Sequence, residues 1–455
     1  MNRIINPAIF HDYDIRGVYP TELNEETYFI LGQSIATYLK VKEIAVGYDC
    51  RMSSPSLFKA LTSGIMDRGT DVISLGQIST EIHYFASGFY RFPANIIISA
   101  SHNPAQYNGL KIVTEGVNPL HGNFGLPQIK ALAIKNDFPR ASQKGKMTKK
   151  EVMDEWIKHS LTFIQPEKLK SLKVVVDAGN GMGGISWQKI IGKTPVEIIP
   201  LYFEPDGHFP HHLADPLKKE NTLDLKKAIA EHQADLGFAL DGDADRLFVM
   251  DEKGNMLGGS VTTAILAMWM LQKYGPSTVL YNAVCGRIVP EIIKKYRGIP
   301  MRVRVGHSFI KQYMKKENAV FAGEHSGHFY LRDDFFAESS LICGLLFLEY
   351  LSKQNKPLSQ IVSLLDKYPS SGEINFKTAD PSSVMKAVKE YFKDAKSIDE
   401  LDGLSIWYED WWLNLRPSKT EPLLRLNLEA NNKTVLYDKL VIVENLMQSQ
   451  GCIKT

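Results

Sequence analysis

The sequence is short of the features that mark several protein classes. It has four cysteines in 455 residues, Cys50, Cys285, Cys343 and Cys452, all far apart. No CxxC or Cys/His ligand spacing occurs, which argues against a structural zinc site. A disulfide framework is not expected in a chain long enough to bury a large core. Charge of one sign is missing too: 53 basic residues against 51 acidic give a net +2. That balance argues against a nucleic-acid footprint, which needs a concentrated basic face. Long apolar runs are absent. The stretches near 261–271 and 341–348 fall short of the roughly 20 residues that span a bilayer. The opening MNRIINPAIFHDYD has no apolar core of a secretory signal. Cytoplasm is the default expectation, with no nucleic acid and no membrane as partner. Oligomeric state is not legible.

What is present is an ordinary globular composition, 44% apolar and 23% charged. At about 100–150 residues per domain the length implies three or four domains. Helix and strand patterns alternate, which argues for parallel sheets. Asn24 reads as an N-cap, and Tyr28, Leu31, Ile35 and Leu39 form a stripe at helical spacing. Strands are expected at 44–49, 71–75 and 95–100, with helices at 55–68 and 81–90. A second round has strands at 173–177, 196–201 and 235–240 and a helix at 223–232. A third has helices at 261–273, 289–296 and 308–315 and strands at 278–282, 301–305 and 319–322. Each round ends in a polar motif at the carboxyl end of a strand, where open α/β sheets bind ligands. This reads as an internal structural repeat. From about 368 the rhythm changes to a smaller α+β domain. The expected division is 1–150, 151–255, 256–367 and 368–455.

Ser101-His102-Asn103-Pro104 follows a strand too apolar to face water. Its small and polar residues suit either an anion cradle or a plain polar turn. Lys111 reads as a solvated strand end, or as a base or phosphate partner. Asp241, Asp243 and Asp245 place three mutually repelling carboxylates within five residues. A hard divalent cation needs such a set, because Mg²⁺ and Ca²⁺ prefer oxygen ligands. An EF-hand loop has similar spacing, but Arg246 stands where its turn needs Gly, and the flanks read as strands.

Gly179–Gly184 matches GxGxxG after a strand, with Glu204 after the next one. Those are features of a dinucleotide fingerprint, or of a glycine turn that lets a helix pack closely. Glu324, Ser326 and His328 alternate, so an extended backbone puts all three on one face. Such a face suits sugar hydroxyls; a polar loop is the alternative. Arg416, Ser418, Lys419 and Thr420 offer the donors a phosphate asks for, or form a solvated basic turn.

Taken in order, Tyr13-Asp14-Ile15-Arg16-Gly17, Ala100–Pro104, Asp241–Arg246, Gly323–His328 and Arg416–Pro422 resemble the α-D-phosphohexomutase superfamily nearly end to end. The likeness is greatest to its bacterial phosphomannomutase/phosphoglucomutase branch. The resemblance implies three similar α/β domains with mixed, largely parallel sheets and a C-terminal α+β domain, around a central active-site cleft. It implies a mutase that interconverts hexose 1-phosphate and hexose 6-phosphate, of mannose or glucose, through a phosphoserine and a hexose 1,6-bisphosphate intermediate or activator. Ser101 would carry the phosphoryl group. Asp241, Asp243 and Asp245 would hold Mg²⁺ with an oxygen on Ser101.

By the same resemblance Arg16, Arg246 and His102 would surround the phosphoserine, and Lys111 and His328 would be general acid and base. Glu324 and Ser326 would contact sugar hydroxyls. Arg416, Ser418 and Thr420 would bind the distal phosphate, and Lys419 is a further candidate from its own charge. Tyr13, Arg287 and His307 fall at active-site positions. Two departures stand out: Lys419 replaces the frequent Asn or Gly, and Val284 replaces a lysine of some members. A phosphoglucosamine mutase, an NAD-binding dehydrogenase and a non-catalytic phosphosugar-binding protein are the alternatives. The glycine loop occurs in the superfamily as a structural turn.

Overall fold

A computed structural model describes residues 5–139, 141–418 and 423–455. By packing the chain forms two compact units. One comprises Met1–Leu257 with Ser326–Ser359, the other Gly258–His325 with Gln360–Thr455.

The first unit holds two sheets. In the larger one, strands follow the order Ile15–Val18, Tyr107–Thr114, Ala94–Ile98, Glu43–Tyr48, Asp71–Gln77, Met147–Lys149. Glu43–Tyr48 runs parallel to both of its neighbours, whereas Tyr107–Thr114 is antiparallel to Ala94–Ile98. The sheet is therefore mixed. Ala94–Ile98 is buried at every position, as its unbroken apolar run requires of a central strand covered on both faces. Helix Glu25–Leu39 begins where expected, with Asn24 Oδ1 accepting the Thr27 amide at 3.0 Å. The second sheet has the order Leu247–Asp251, Leu236–Leu240, Lys173–Asp177, Glu197–Leu201. Its pairs are parallel except for the hairpin that joins Leu236–Leu240 to Leu247–Asp251.

Helix Ser340–Ser352 is buried along its whole length. The Ser339 side chain caps it, and Glu81 accepts from Ser339 Oγ, Ser340 Oγ and the Leu341 amide at 3.0, 3.4 and 3.1 Å. An oxygen acceptor there meets amides that a helix N-terminus leaves without partners. The apolar run near 341–348 is thus an interior helix. Among the described residues no helix is long and apolar enough to cross a membrane.

The second unit has three parallel strands in the order Ile299–Val303, Thr278–Asn282, Phe321–Gly323. Helices Ile288–Lys295 and His307–Glu317 connect them, and helix Gly259–Tyr274 precedes the first. Its other part is an antiparallel sheet in the order Ser397–Asp399, Leu404–Trp407, Trp411–Pro417, Leu423–Ala430, Ser370–Lys377, Ile453–Lys454. Helices Pro381–Tyr391 and Lys433–Ser449 complete this part, with a core that includes Phe376, Val388, Trp411, Leu426 and Met447. This is the α+β arrangement expected after 368.

One local expectation fails. Residues 324–328 are not extended: they form a turn in which Gly327 adopts φ +87°. A left-handed residue breaks the period of two, so alternation does not place Glu324, Ser326 and His328 on one face.

Candidate active site

Strand Ala94–Ile98 delivers the chain to Ser101, whose φ is +51°. A left-handed backbone costs a non-glycine residue roughly 1–2 kcal/mol, so the surroundings must hold it there. Its hydroxyl lies 2.9 Å from Asp241 Oδ2 and 3.2 Å from His102 Nδ1.

Strand Leu236–Leu240 ends at the three aspartates. Asp241, Asp243 and Asp245 are all buried, each offering an oxygen within 4.8 Å of the others. Gly242 sits between the first two because a Cβ there would lie 2.5 Å from the Ser101 carbonyl oxygen. Asp243 is anchored from helix Thr80–Tyr90: the Thr80 amide donates to its carbonyl at 2.9 Å and the Thr80 hydroxyl to its Oδ2 at 2.6 Å. Asp243 Oδ1 is buried with no hydrogen-bond partner. Burial, with the charges of Asp245 and Asp243, pushes Asp241 well above the usual carboxylate range. Burial pushes Asp245 up too, but Lys111, His328 and Arg246 more than reverse this and hold it well below. Burying three carboxylates together is unfavourable without a cation. All-oxygen donors with an orphaned lone pair fit a hard divalent ion.

Positive groups ring this cluster. Lys111 Nζ lies 2.6 Å from Asp243 Oδ2 and 2.8 Å from Asp245 Oδ2. Burial disfavours its charge, but the two aspartates outweigh that and raise its pKa well above the ordinary value. Arg246 lies 3.5 Å from Asp241 Oδ2, and its Nε donates to His328 Nε2 at 3.1 Å. His328 Nδ1 is 3.0 Å from Ser326 Oγ. Burial, then the charges of Arg246 and Arg16, pushes His102 well below its usual value, which keeps it neutral. Arg16 donates to Asn103 Oδ1 at 2.6 Å and Asp14 Oδ2 at 2.5 Å. Tyr13 is half-buried in the bend before strand Ile15–Val18. Thus Ser101, His102, Lys111, the three aspartates, Arg246, Ser326 and His328 form one cluster in the first unit, with Arg16 beside Asn103.

The glycine loop has another use. The Met182 amide donates to the Gly242 carbonyl at 2.9 Å, the Gly181 amide to Ala178 O at 2.7 Å. The Gly179 amide donates to Asp177 Oδ1 at 2.9 Å, and a Cβ on Gly184 would lie 2.1 Å from Phe203 O. These amides are engaged within the protein, not free for a pyrophosphate. The loop buttresses the aspartate turn, which removes the dinucleotide reading.

In the second unit Glu324 is buried, with Oε2 accepting from Asn282 Nδ2 at 3.1 Å. Arg416 pairs with Glu373 at 3.3 Å, and the Ser418 amide donates to Leu423 O at 2.7 Å. His307 opens helix His307–Glu317. Arg287 directs its guanidinium to the carbonyls of Tyr408 and Glu409 and to Asn431 Oδ1, at 2.9, 2.9 and 3.0 Å. Lys419 and Thr420 lie outside the described residues. Sequence reasoning missed Thr80 and Arg51; both follow the carboxyl ends of strands, the only signal that marked them.

Comparison with known proteins agrees with this geometry. Phosphoglucomutase/phosphomannomutase alpha/beta/alpha domains I, II and III match residues 7–140, 154–254 and 258–368, and the C-terminal domain of that family matches 373–438. A phosphomannomutase of Vibrio cholerae is 38% identical over 96% of this chain and 98% of its own. One from Methanocaldococcus jannaschii is 38% identical over 96% and 97%. The crystal structure of a phosphoglucomutase/phosphomannomutase family protein from Burkholderia thailandensis superposes with TM-score 0.90 at 26% identity, covering 98% of each chain. The chain belongs to the phosphoglucomutase/phosphomannomutase family and is a phosphohexose mutase.

Proposed function

We propose that the protein interconverts hexose 1-phosphate and hexose 6-phosphate, with mannose as first candidate sugar, through a phosphoserine at Ser101. The observation that carries this reading is the 2.9 Å contact of Ser101 Oγ with an aspartate of a buried three-carboxylate cluster. The mannose assignment follows the names of relatives 36–38% identical to this chain.

Phosphoryl transfer needs in-line positioning and neutralisation of charge on the equatorial oxygens. Asp241, Asp243 and Asp245, with an oxygen on Ser101, would hold Mg²⁺, which supplies part of that neutralisation when bound. Arg246 adds positive charge beside Asp241. In the forward half-reaction the C6 hydroxyl oxygen of hexose 1-phosphate forms the new P–O bond. The bond between phosphorus and Ser101 Oγ breaks, giving the 1,6-bisphosphate. One group takes the hydroxyl proton and another returns a proton to Ser101 Oγ; we assign these roles to His328 and Lys111. After the bisphosphate turns around, Ser101 Oγ takes the C1 phosphoryl group and hexose 6-phosphate leaves. Glu324 and Ser326 hold ring hydroxyls, and Arg416, Ser418, Lys419 and Thr420 hold the phosphate that does not react. Tyr13, Arg16, Arg287, His102 and His307 complete the assigned set.

In this reading residues 1–150 present the phosphoserine, 151–255 the metal, 256–367 the sugar-binding groups and 368–455 the phosphate loop. We place the enzyme in the cytoplasm, where its four free, buried cysteines stay reduced. A coupled assay with mannose 1-phosphate, glucose 1-phosphate and glucosamine 1-phosphate tests the reading. Turnover of none of them would refute it, and turnover of glucosamine phosphate alone would reassign the sugar.

A further inference from the structure

Arg51 stands at the turn after strand Glu43–Tyr48, and the residue is 1% exposed. Its Nη2 donates to the carbonyls of Ser101 and Asn103, both at 2.7 Å. Its Nη1 donates to the carbonyls of Pro104 and Tyr107, at 2.7 and 3.0 Å. Its Nε donates to Asp49 Oδ2 at 3.1 Å. Every N–H of the guanidinium is therefore satisfied, four of them by main-chain oxygens of the loop that presents Ser101. The other face of the group lies 5.3 Å from the centroid of the Phe209 ring.

We propose that Arg51 is a positioning residue for phosphoryl transfer: its guanidinium fork fixes the left-handed backbone that aims Ser101 Oγ at the aspartate cluster. This deepens the mutase reading and rests on it. Three observations carry it. Ser101 holds φ +51° without being glycine, so something must oppose relaxation of its peptide. The Ser101 carbonyl takes a charge-assisted bond from Nη2, which is stronger than a neutral one. That same oxygen is the nearest atom a Cβ on Gly242 would meet, so its position also sets the register between Ser101 and the metal loop.

The anchor is itself anchored. Asp49 Oδ1 accepts the Arg51 amide at 3.0 Å and the Ser54 hydroxyl at 2.6 Å. A buried cation is costly unless paired and fully bonded. A planar fork with five fixed donors can clamp four carbonyls at once; a lysine, with three donors on one atom, cannot reproduce that geometry.

The test compares wild type with Arg51→Lys, and with Asp49→Asn, which leaves the guanidinium but loosens its Nε anchor. Single-turnover transfer from glucose 1,6-bisphosphate to Ser101 and steady-state kcat and KM are measured on chains shown to be folded by circular dichroism. We expect Arg51→Lys to lower transfer and kcat about 100-fold, the effect of a misplacement near 1 Å, with KM within about twofold. Asp49→Asn should lower kcat about tenfold, and it decides the matter if Arg51→Lys does not fold. A purely structural role would lower thermal stability yet leave kcat per folded chain unchanged, and that result overturns the proposal. So does a loss that falls wholly in KM. A wild type without turnover or Ser101 phosphorylation instead defeats the mutase reading itself.

Discussion

The hydroxyl of Ser101 donates to Oδ2 of Asp241 at 2.9 Å, across 140 residues of sequence. The contact requires two loops from different sheets to approach backbone to backbone. Gly242 permits it, because a Cβ there would lie 2.5 Å from the Ser101 carbonyl. Gly242→Ala should therefore push the aspartate turn away from Ser101. The expected outcome is a fall in kcat of about 100-fold with the chain still folded. Near wild-type kcat would show that the turn can shift without consequence.

Metal dependence follows from the carboxylate cluster. EDTA should stop turnover and Mg²⁺ restore it, and Asp243→Ala should be inactive at any practical Mg²⁺ concentration. Full activity of Asp243→Ala in metal-free buffer would remove the metal from the mechanism.

Thr80 offers a finer test. It holds Asp243 through both amide and hydroxyl, and such supporting bonds are worth about 10- to 100-fold in metal affinity. Thr80→Val keeps the shape and the amide bond but loses the hydroxyl. The Mg²⁺ concentration for half-maximal activity should rise by that factor, while kcat at saturating Mg²⁺ changes little.

Local signals were readable in the chain, and distant ones were not. Asn24 caps its helix by accepting the amide three residues on, that of Thr27, so short-range pattern sufficed. Strands Lys173–Asp177 and Thr278–Asn282 and helix Leu223–His232 lie where apolar period and turn residues put them. The aspartate spacing pointed to a cation without any fold in hand. At 324–328 the polar-loop alternative holds over the extended one, because Gly327 leaves the extended region. Arg51 was passed over because its meaning lies in carbonyls fifty or more residues away. Arg287 was expected at an active-site position from the resemblance alone, and its guanidinium bonds the carbonyls of Tyr408 and Glu409 and Asn431 Oδ1.

Lys419 is a departure that sequence alone raises, and its position lies outside the described residues. If its ammonium binds the distal phosphate, Lys419→Asn loses a charge-assisted bond worth roughly 1.5–3 kcal/mol. That is about a 10- to 150-fold loss in kcat/KM, felt with 1-phosphate and 6-phosphate substrates alike. A change below about twofold in steady-state kinetics would show that the ammonium makes no such contact.

Glu81 gives a prediction about stability that is separate from catalysis. Burial pushes its carboxyl up to about 8 from 4.5, and the charge of Asp334 adds to this. The bonds from the Leu341 amide and Ser339 hydroxyl offset only part of it. The unfolded chain releases this proton near pH 4.5, while the folded protein keeps it until about 8. Between those values the unfolded state binds fewer protons, so this group's contribution to stability falls as pH rises. It is fully present below pH 4.5 and lost above about 8. The total effect is on the order of a few kcal/mol, at about 1.4 kcal/mol per pH unit of the interval. Glu81→Gln keeps an oxygen to accept from Leu341 and Ser339 but cannot ionise. Its unfolding midpoint should therefore fall less than wild type's when the pH is raised from 5.5 to 8.5, and it should exceed wild type's at the higher pH. Parallel pH profiles for the two proteins would mean that Glu81 is already ionised in the folded chain, held as an anion by the helix end it caps.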